Sequence, residues 1–178
     1  MNQYLEKRRI KVANVVYVSI KQRILVEKYL GGISVGEIAK DAVNQSTVTA
    51  SQLDLFESLG TTLATIHRYG VSIGDTKPEN FIASGQDLFV VDLEQASKRG
   101  DYSWDIAELL FYTGHYCSRP AGTASLRQLV EAFVDGYLQK GKSVELRKAA
   151  AVKHAKAFSI WTPPPVILEI SRTLHAAK

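Results

Sequence analysis

The chain has 178 residues, 46% of them hydrophobic and 22% charged, apolar material enough for one ordinary folded domain, or for one large and one vestigial. Its formal charge of +4 is compatible with a phosphate-bearing ligand or nucleic acid and is more often a solubility feature. A single cysteine, Cys117, excludes an intrachain disulfide and, with four scattered histidines, a zinc pattern; residues 1–11 lack the apolar core of a signal peptide and no apolar run is long enough to span a bilayer, so the expected location is cytoplasmic.

In chain order, residues 2–11 are rich in Lys, Arg, Leu and Glu and read as a short helix. Residues 12–19 are β-branched and strand-like, and residues 24–30 form a second strand ended by Gly31-Gly32. Ser34-Val35-Gly36-Glu37 has capping-box spacing and predicts a short helix to about Lys40, followed by a polar loop over 41–49. Ser51 is the expected cap of a longer helix reaching Tyr69. Leu53, Phe56, Leu59, Leu63 and Ile66 recur at threes and fours on it as one buried stripe, and Gly70 suits the position just past its end. His67, near that end, reads as a surface or capping histidine before it reads as a general base.

The most informative stretch is 70–92. A polar turn, Gly74-Asp75-Thr76-Lys77-Pro78-Glu79-Asn80, leads into the apolar run Phe81-Ile82-Ala83. Ser84-Gly85-Gln86-Asp87 is turn chemistry, with Gly85 free to take positive φ. Leu88 to Val91 then makes a buried strand that stops at Asp92. Such a hairpin brings Asn80 and Asp92 close together, with Asp75 five residues before Asn80 on a loop stiffened by Pro78.

Two oxygen ligands beside a third carboxylate suit phosphate transfer. Mg²⁺ takes hard oxygen ligands, commonly one or two carboxylates plus substrate phosphates. Asn80 and Asp92 are the candidate metal ligands, and Asp75 the candidate base for an incoming hydroxyl. A lone D-x-x-x-x-N is most often a solvated loop. The Lys-Pro pair, the hairpin and the terminal Asp raise this one above that reading.

Farther on, residues 104–112 read as a buried helix opened by Asp105, an acid favoured at a helix N-terminus. Glu108 shares its face, either as a partner of the site or solvated. Leu126, Leu129, Val130, Phe133 and Tyr137 place a helix over 123–140. Another is expected over 143–158, broken by Trp161-Thr162-Pro163-Pro164-Pro165, and a short helix over 166–176 closes the chain. The basic run Arg147, Lys148, Lys153, His154 and Lys156 reads as a solvated helix face. Binding to RNA or an acidic partner is its sharper reading.

The spacing Asp75–Asn80 followed by Asp92 resembles the protein-kinase-like superfamily. Asp75-Thr76-Lys77-Pro78-Glu79-Asn80 is similar to its catalytic loop, and Asp92-Leu93-Glu94 to its metal-binding tripeptide, with Leu and Glu replacing Phe and Gly. The resemblance implies an α+β fold, a mainly helical C-terminal lobe with a catalytic-loop hairpin. It implies ATP as co-substrate, Mg²⁺ or Mn²⁺ on Asn80 and Asp92, Asp75 as base, and Lys77 neutralising the transferred phosphoryl group or remaining a surface lysine. It also implies that the 24–30 strand is the hinge, with the backbone of Glu27 and Tyr29 on an adenine edge; a plain strand and turn is the alternative. Asp105 would brace the catalytic loop from beneath.

Departures from the family pattern matter as much. No G-x-G-x-x-G and no V-A-I-K-like lysine precedes the loop, so residues 1–32 read as a remnant of the N-terminal lobe and hinge and 33–178 as the C-terminal lobe. The expectation is a truncated product, a natural single-lobe relative, or a chain completed by a partner protein. Ile73-Gly74 stands where ordinary protein kinases have His-Arg, so no activation-loop phosphate switch is expected. The segment after Asp92 is short and lacks Ala-Pro-Glu. These traits are similar to small atypical kinases: the kinase of the tRNA threonylcarbamoylation (KEOPS) complex, the RIO kinases and the lipopolysaccharide Kdo kinases. Asp92-Leu93-Glu94-Gln95-Ala96 with Gly100-Asp101-Tyr102-Ser103-Trp104-Asp105 is similar to aminoglycoside and choline phosphotransferases. The expected activity is phosphoryl transfer to a hydroxyl of a protein or small molecule; the alternative is an inactive scaffold that binds a partner protein.

Overall fold

In the computed structural model, which describes residues 1–45, 47–118 and 122–178, small antiparallel sheets precede a helical body, the α+β arrangement expected. Helix α1 (Asn2–Glu6) leads into an antiparallel hairpin of β1 (Val15–Ser19) and β2 (Ile24–Glu27). Then come β3 (Ile33–Ser34), α2 (Val35–Asn44), α3 (Ala50–Arg68) and β4 (Val71–Ser72). A 3-10 turn (Pro78–Asn80) opens the hairpin β5 (Phe81–Ser84) and β6 (Asp87–Val90). After β7 (Ser97–Lys98) the chain is helical: α4 (Tyr102–His115), α5 (Gly122–Leu138), α6 (Ser143–Ala149), α7 (Val152–Phe158) and α8 (Pro164–Ala176). β5 is central to a sheet ordered β3-β5-β6, and β4 pairs with β7.

Local chemistry accounts for most boundaries. Ser34 and Glu37 form the expected capping box on α2. The helix runs on to Asn44, past the expected stop near Lys40, because Ala39, Ala42 and Val43 continue its buried face. The cap of α3 is Thr49, paired reciprocally with Gln52, and not Ser51. Helix α1 stops at Glu6, short of the expected 2–11, and Arg9 takes φ 62° as the chain turns. The 143–158 segment is two helices. Ala151 is extended (ψ 145°), although nothing in Ala149-Ala150-Ala151 is a breaker. The kink lets Leu146 and Ala149 bury on one side of it and His154 and Phe158 on the other, with both helices against α4.

The core lies between α3, α4 and α5. Of the predicted stripe, Phe56, Leu59, Leu63 and Ile66 are fully buried and Leu53 is half-buried; Ile106, Leu109 and Phe111 of α4 and Leu126, Leu129, Val130 and Phe133 of α5 are fully buried too. Helices α3 and α5 touch backbone to backbone. A side chain at Gly60 would meet the Phe133 carbonyl at 2.1 Å and one at Gly136 the Glu57 carbonyl at 1.9 Å, so larger residues at either position force the helices apart.

The basic run is not a uniform solvated face. His154 is buried on Ser103 Oγ at 3.1 Å, and Arg147 bonds Ser143 and the Ala177 carbonyl. Lys148 pairs with Glu145 and Lys153 with Asp101. The β1–β2 hairpin, by contrast, is open on both faces: Val16 is 67% exposed, Tyr17 52% and Leu25 55%. Among the described residues no helix is long and apolar enough to cross a membrane.

Candidate active site

The first part of the loop, 73–76, is held by α4, and the 3-10 turn that follows packs on α2. Asp105, fully buried in the first turn of that helix, accepts the Ile73 amide at 2.8 Å and the Gly74 amide at 2.9 Å. Glu108, one turn on, accepts the Thr76 amide at 2.7 Å. The Thr76 hydroxyl donates to the Asp105 carbonyl at 2.7 Å. The Tyr116 hydroxyl donates to Glu79 at the far end of the loop. Asp105 and Glu108 on α4, Tyr112 a turn further (its ring 5.8 Å from Lys77) and Tyr116 at the helix C-cap thus form a polar stripe at helical spacing. That stripe is visible in the sequence, yet only its first two members were singled out there.

Asp105 is held in turn. His67 Nε2 lies 3.0 Å from its Oδ2, and His67 Nδ1 lies 2.8 Å from the Tyr137 hydroxyl. The carboxylate makes Nε2 the donor, so Nδ1 accepts from Tyr137. Burial pushes the Tyr137 phenol up from its ordinary value, consistent with a neutral donor. His67 is therefore buried, not the surface or capping residue its place near a helix end suggested. No local pattern could reveal a partner 38 residues away.

Glycine at position 74 has a geometric cause. Its φ is +83°, and a side chain there would meet the Gln95 carbonyl at 2.9 Å. The segment after Asp92 folds back over Gly74.

Within this frame Asp75 is nearly buried, with Lys77 Nζ 3.3 Å from Oδ2 and 3.1 Å from Oδ1. The Oδ1 contact is a charge contact only, because that buried oxygen accepts no well-aligned hydrogen bond. The bond to Asp75 holds the Lys77 ammonium above its ordinary pKa, and Lys77 also lies 5.8 Å from the Tyr112 ring centroid. The Asn80 side-chain amide donates to the Asp75 carbonyl at 3.0 Å. The Val91 amide donates to the Asn80 carbonyl at 2.9 Å, so the hairpin joins Asn80 to the residue before Asp92, as its spacing anticipated. Asp92 is exposed, forms no ion pair among the described residues, and sits at φ +55°, a conformation that costs a non-glycine residue about 1 kcal/mol.

A cleft of about 740 Å³ lies between α1, the β1–β2 hairpin and the segment after β6; Asn2, Val15, Leu25, Glu27, Asp92 and Glu94 line it. Glu27 and Asp92 therefore face one volume. The Glu27 carboxylate accepts from Asn2 at 2.6 Å. Tyr29 is not among the lining residues; Lys28 and Leu30 border a different cavity. Among the described residues no group of three or more His, Cys, Asp or Glu is placed to hold a metal ion. Asn80 and Asp92 supply only two oxygen donors, which suits a hard cation that draws its remaining ligands from phosphates and water.

Burial holds the Glu108 carboxyl above its ordinary value of 4.5, despite two hydrogen bonds from Thr76 that pull it down. A carboxyl with a folded pKa above its unfolded one binds protons more tightly when folded, so stability falls as pH rises through the interval between the two. Thermal denaturation from pH 4 upward, roughly the unfolded carboxyl range, should show wild type losing stability against Glu108→Gln up to the raised pKa and running parallel to it above. Parallel curves throughout would mean that Glu108 titrates normally.

No protein-family model and no curated protein matches this chain. Among solved structures, the chain is similar to "WaaP in complex with acyl carrier protein", with a TM-score of 0.60 and 16% identity over 98% of this chain and 73% of that one. The fold is kinase-like.

Proposed function

We propose that this chain is a kinase-like phosphotransferase that moves the γ-phosphoryl group of ATP to a hydroxyl of a protein or small molecule. The observation that carries the reading is the Asp75 carboxylate: nearly buried, held by a loop pinned at Ile73, Gly74 and Thr76, with one oxygen that accepts no aligned hydrogen bond. In the proposed step the acceptor oxygen attacks the γ-phosphorus as the bond to the bridging oxygen of ADP breaks, and the acceptor's proton passes to Asp75. Lys77, beside Asp75, neutralises charge on the phosphoryl oxygens. Asn80 and Asp92 hold Mg²⁺ or Mn²⁺, which when bound offsets the charge of the phosphates. The backbone of Glu27, which lines the cleft with Asp92, is the proposed adenine edge, and Tyr29, which does not line it, has no part in that edge.

Residues 1–32 are, in this reading, the inner part of an N-terminal lobe. Two observations support it: the apolar β1–β2 hairpin is open on both faces, and among the described residues none of the lysines before the loop pairs with a glutamate. Lys11 is instead tied to Asp87 at 2.5 Å. Full turnover would then need strands that cover the hairpin, from the same chain or a partner.

The same open hairpin favours a second reading, a weakly active or inactive scaffold that binds a protein there. The structure of WaaP contains an acyl carrier protein, and a protein partner is proposed here by analogy alone.

ATP consumption by the chain, with Asp75→Ala as the blank, tests both. The kinase reading expects slow turnover that Asp75→Ala removes and that added covering strands raise by orders of magnitude. No Asp75-dependent turnover even when covered would leave the scaffold. Fast Asp75-dependent turnover from the chain alone would overturn the need for a covering lobe.

A further inference from the structure

A second cavity opens behind the catalytic loop, where α3, α4, α5 and the start of α6 meet. Its volume is about 290 Å³, at the small end for ligand sites. Its inner wall is built from the buried pair His67 and Tyr137, with the Tyr102 ring stacked on His67 at 4.6 Å between centroids. Tyr102 is thereby fixed, and its hydroxyl has no hydrogen-bond partner among the described residues.

The rim is cationic. Arg68, Lys140 and Lys142 line it, each exposed and each without an ion-pair partner among the described residues. One acid, Glu145, also lines the cavity, and Lys148 already neutralises it at 3.1 Å. Among the lining residues three positive charges thus face one acid that is already paired, with Asp105 behind His67 the next carboxylate inward. That arrangement concentrates positive potential where low-dielectric walls focus it. A monoanion would satisfy one of these cations, and an apolar ligand none.

The geometry points to a binding site for a small phosphate-bearing anion in this cavity, a dianion held by Arg68, Lys140 and Lys142 with the Tyr102 hydroxyl as a neutral donor. None of these residues has a part in the phosphoryl transfer proposed above, so the site stands whether or not that reading does. Its inner wall nevertheless reaches the loop: His67 bonds Asp105, and Asp105 holds the Ile73 and Gly74 amides. An occupant would lie against the imidazole that fixes the brace.

The test is titration of the full chain with inorganic phosphate, without nucleotide, followed by calorimetry and by the imidazole signals of His67. Saturable movement of those signals is expected. The double variant Lys140→Glu, Lys142→Glu, with both side chains exposed, should weaken binding about tenfold or more. Tyr102→Phe, which keeps the stacked ring, should weaken it about threefold. His67 signals unmoved at the highest phosphate concentration, or affinity unchanged in the double variant, would overturn the site. So would a response confined to residues around Asp92, which would place phosphate in the catalytic cleft instead.

Discussion

Asp105→Ala is expected to destabilise the chain by about 3–5 kcal/mol, because it strands buried donors and removes the charge they were arranged around. The carboxylate is fully buried and accepts at 2.8 Å from Ile73, 2.9 Å from Gly74 and 3.0 Å from His67. Ile73 and His67 are buried and Gly74 is half-buried, so replacing the carboxylate with water is costly for these donors. An ordinary exposed cap would cost only about 1 kcal/mol, so the two roles differ by more than the error of a denaturant curve. A loss of this size takes a large share of a domain's total stability, typically about 5–15 kcal/mol, and lowers the melting temperature by roughly 10 °C. Asp105→Asn keeps one acceptor and should fall between wild type and alanine. An Asp105→Ala protein as stable as wild type would remove the brace from the argument.

Asp92→Gly is expected to abolish metal-dependent nucleotide binding while leaving the fold no less stable. The two expectations have opposite causes. At φ +55° aspartate holds a backbone conformation that glycine adopts freely, and relief of that strain is worth about 1 kcal/mol. The carboxylate, exposed and without an ion pair among the described residues, contributes nothing to folding that its loss would cost. A strained, unpaired acid at the lip of a cleft is instead what a ligand-binding role would maintain. With Asp92 gone only Asn80 would remain as an oxygen ligand, too little to hold Mg²⁺ against water. Calorimetry with ATP and Mg²⁺ on wild type and variant would decide it. Equal nucleotide affinity in Asp92→Gly, with metal present, would sink the metal assignment, and a large loss of stability would show that Asp92 has a structural partner.

Short-range order was legible in the residues themselves. The 81–90 hairpin follows from a two-residue turn containing Gly85 between apolar runs. The α3 stripe and the α2 capping box follow from helical spacing, and the Asp75–Asn80–Asp92 constellation from the hairpin's length. Each depends on interactions within a few residues or on one tight turn, which local chemistry specifies. Asp105 as a brace could be inferred only through a family resemblance, and its distances to Ile73 and Gly74 belong to the packed structure. His67, the break at Ala151 and the burial of His154 were invisible in sequence for one reason. Each is set by a partner many residues away, Asp105 for His67 and Ser103 for His154, or by α4 beneath the kink. Buried polar groups must find partners, and that requirement selects the fold's long-range contacts without leaving a periodic trace. Spacing alone set out the loop that carries Asp75 and Asn80; only the tertiary bonds from Asp105 and Glu108 of α4, with His67 of α3 behind Asp105, decided how firmly it is held.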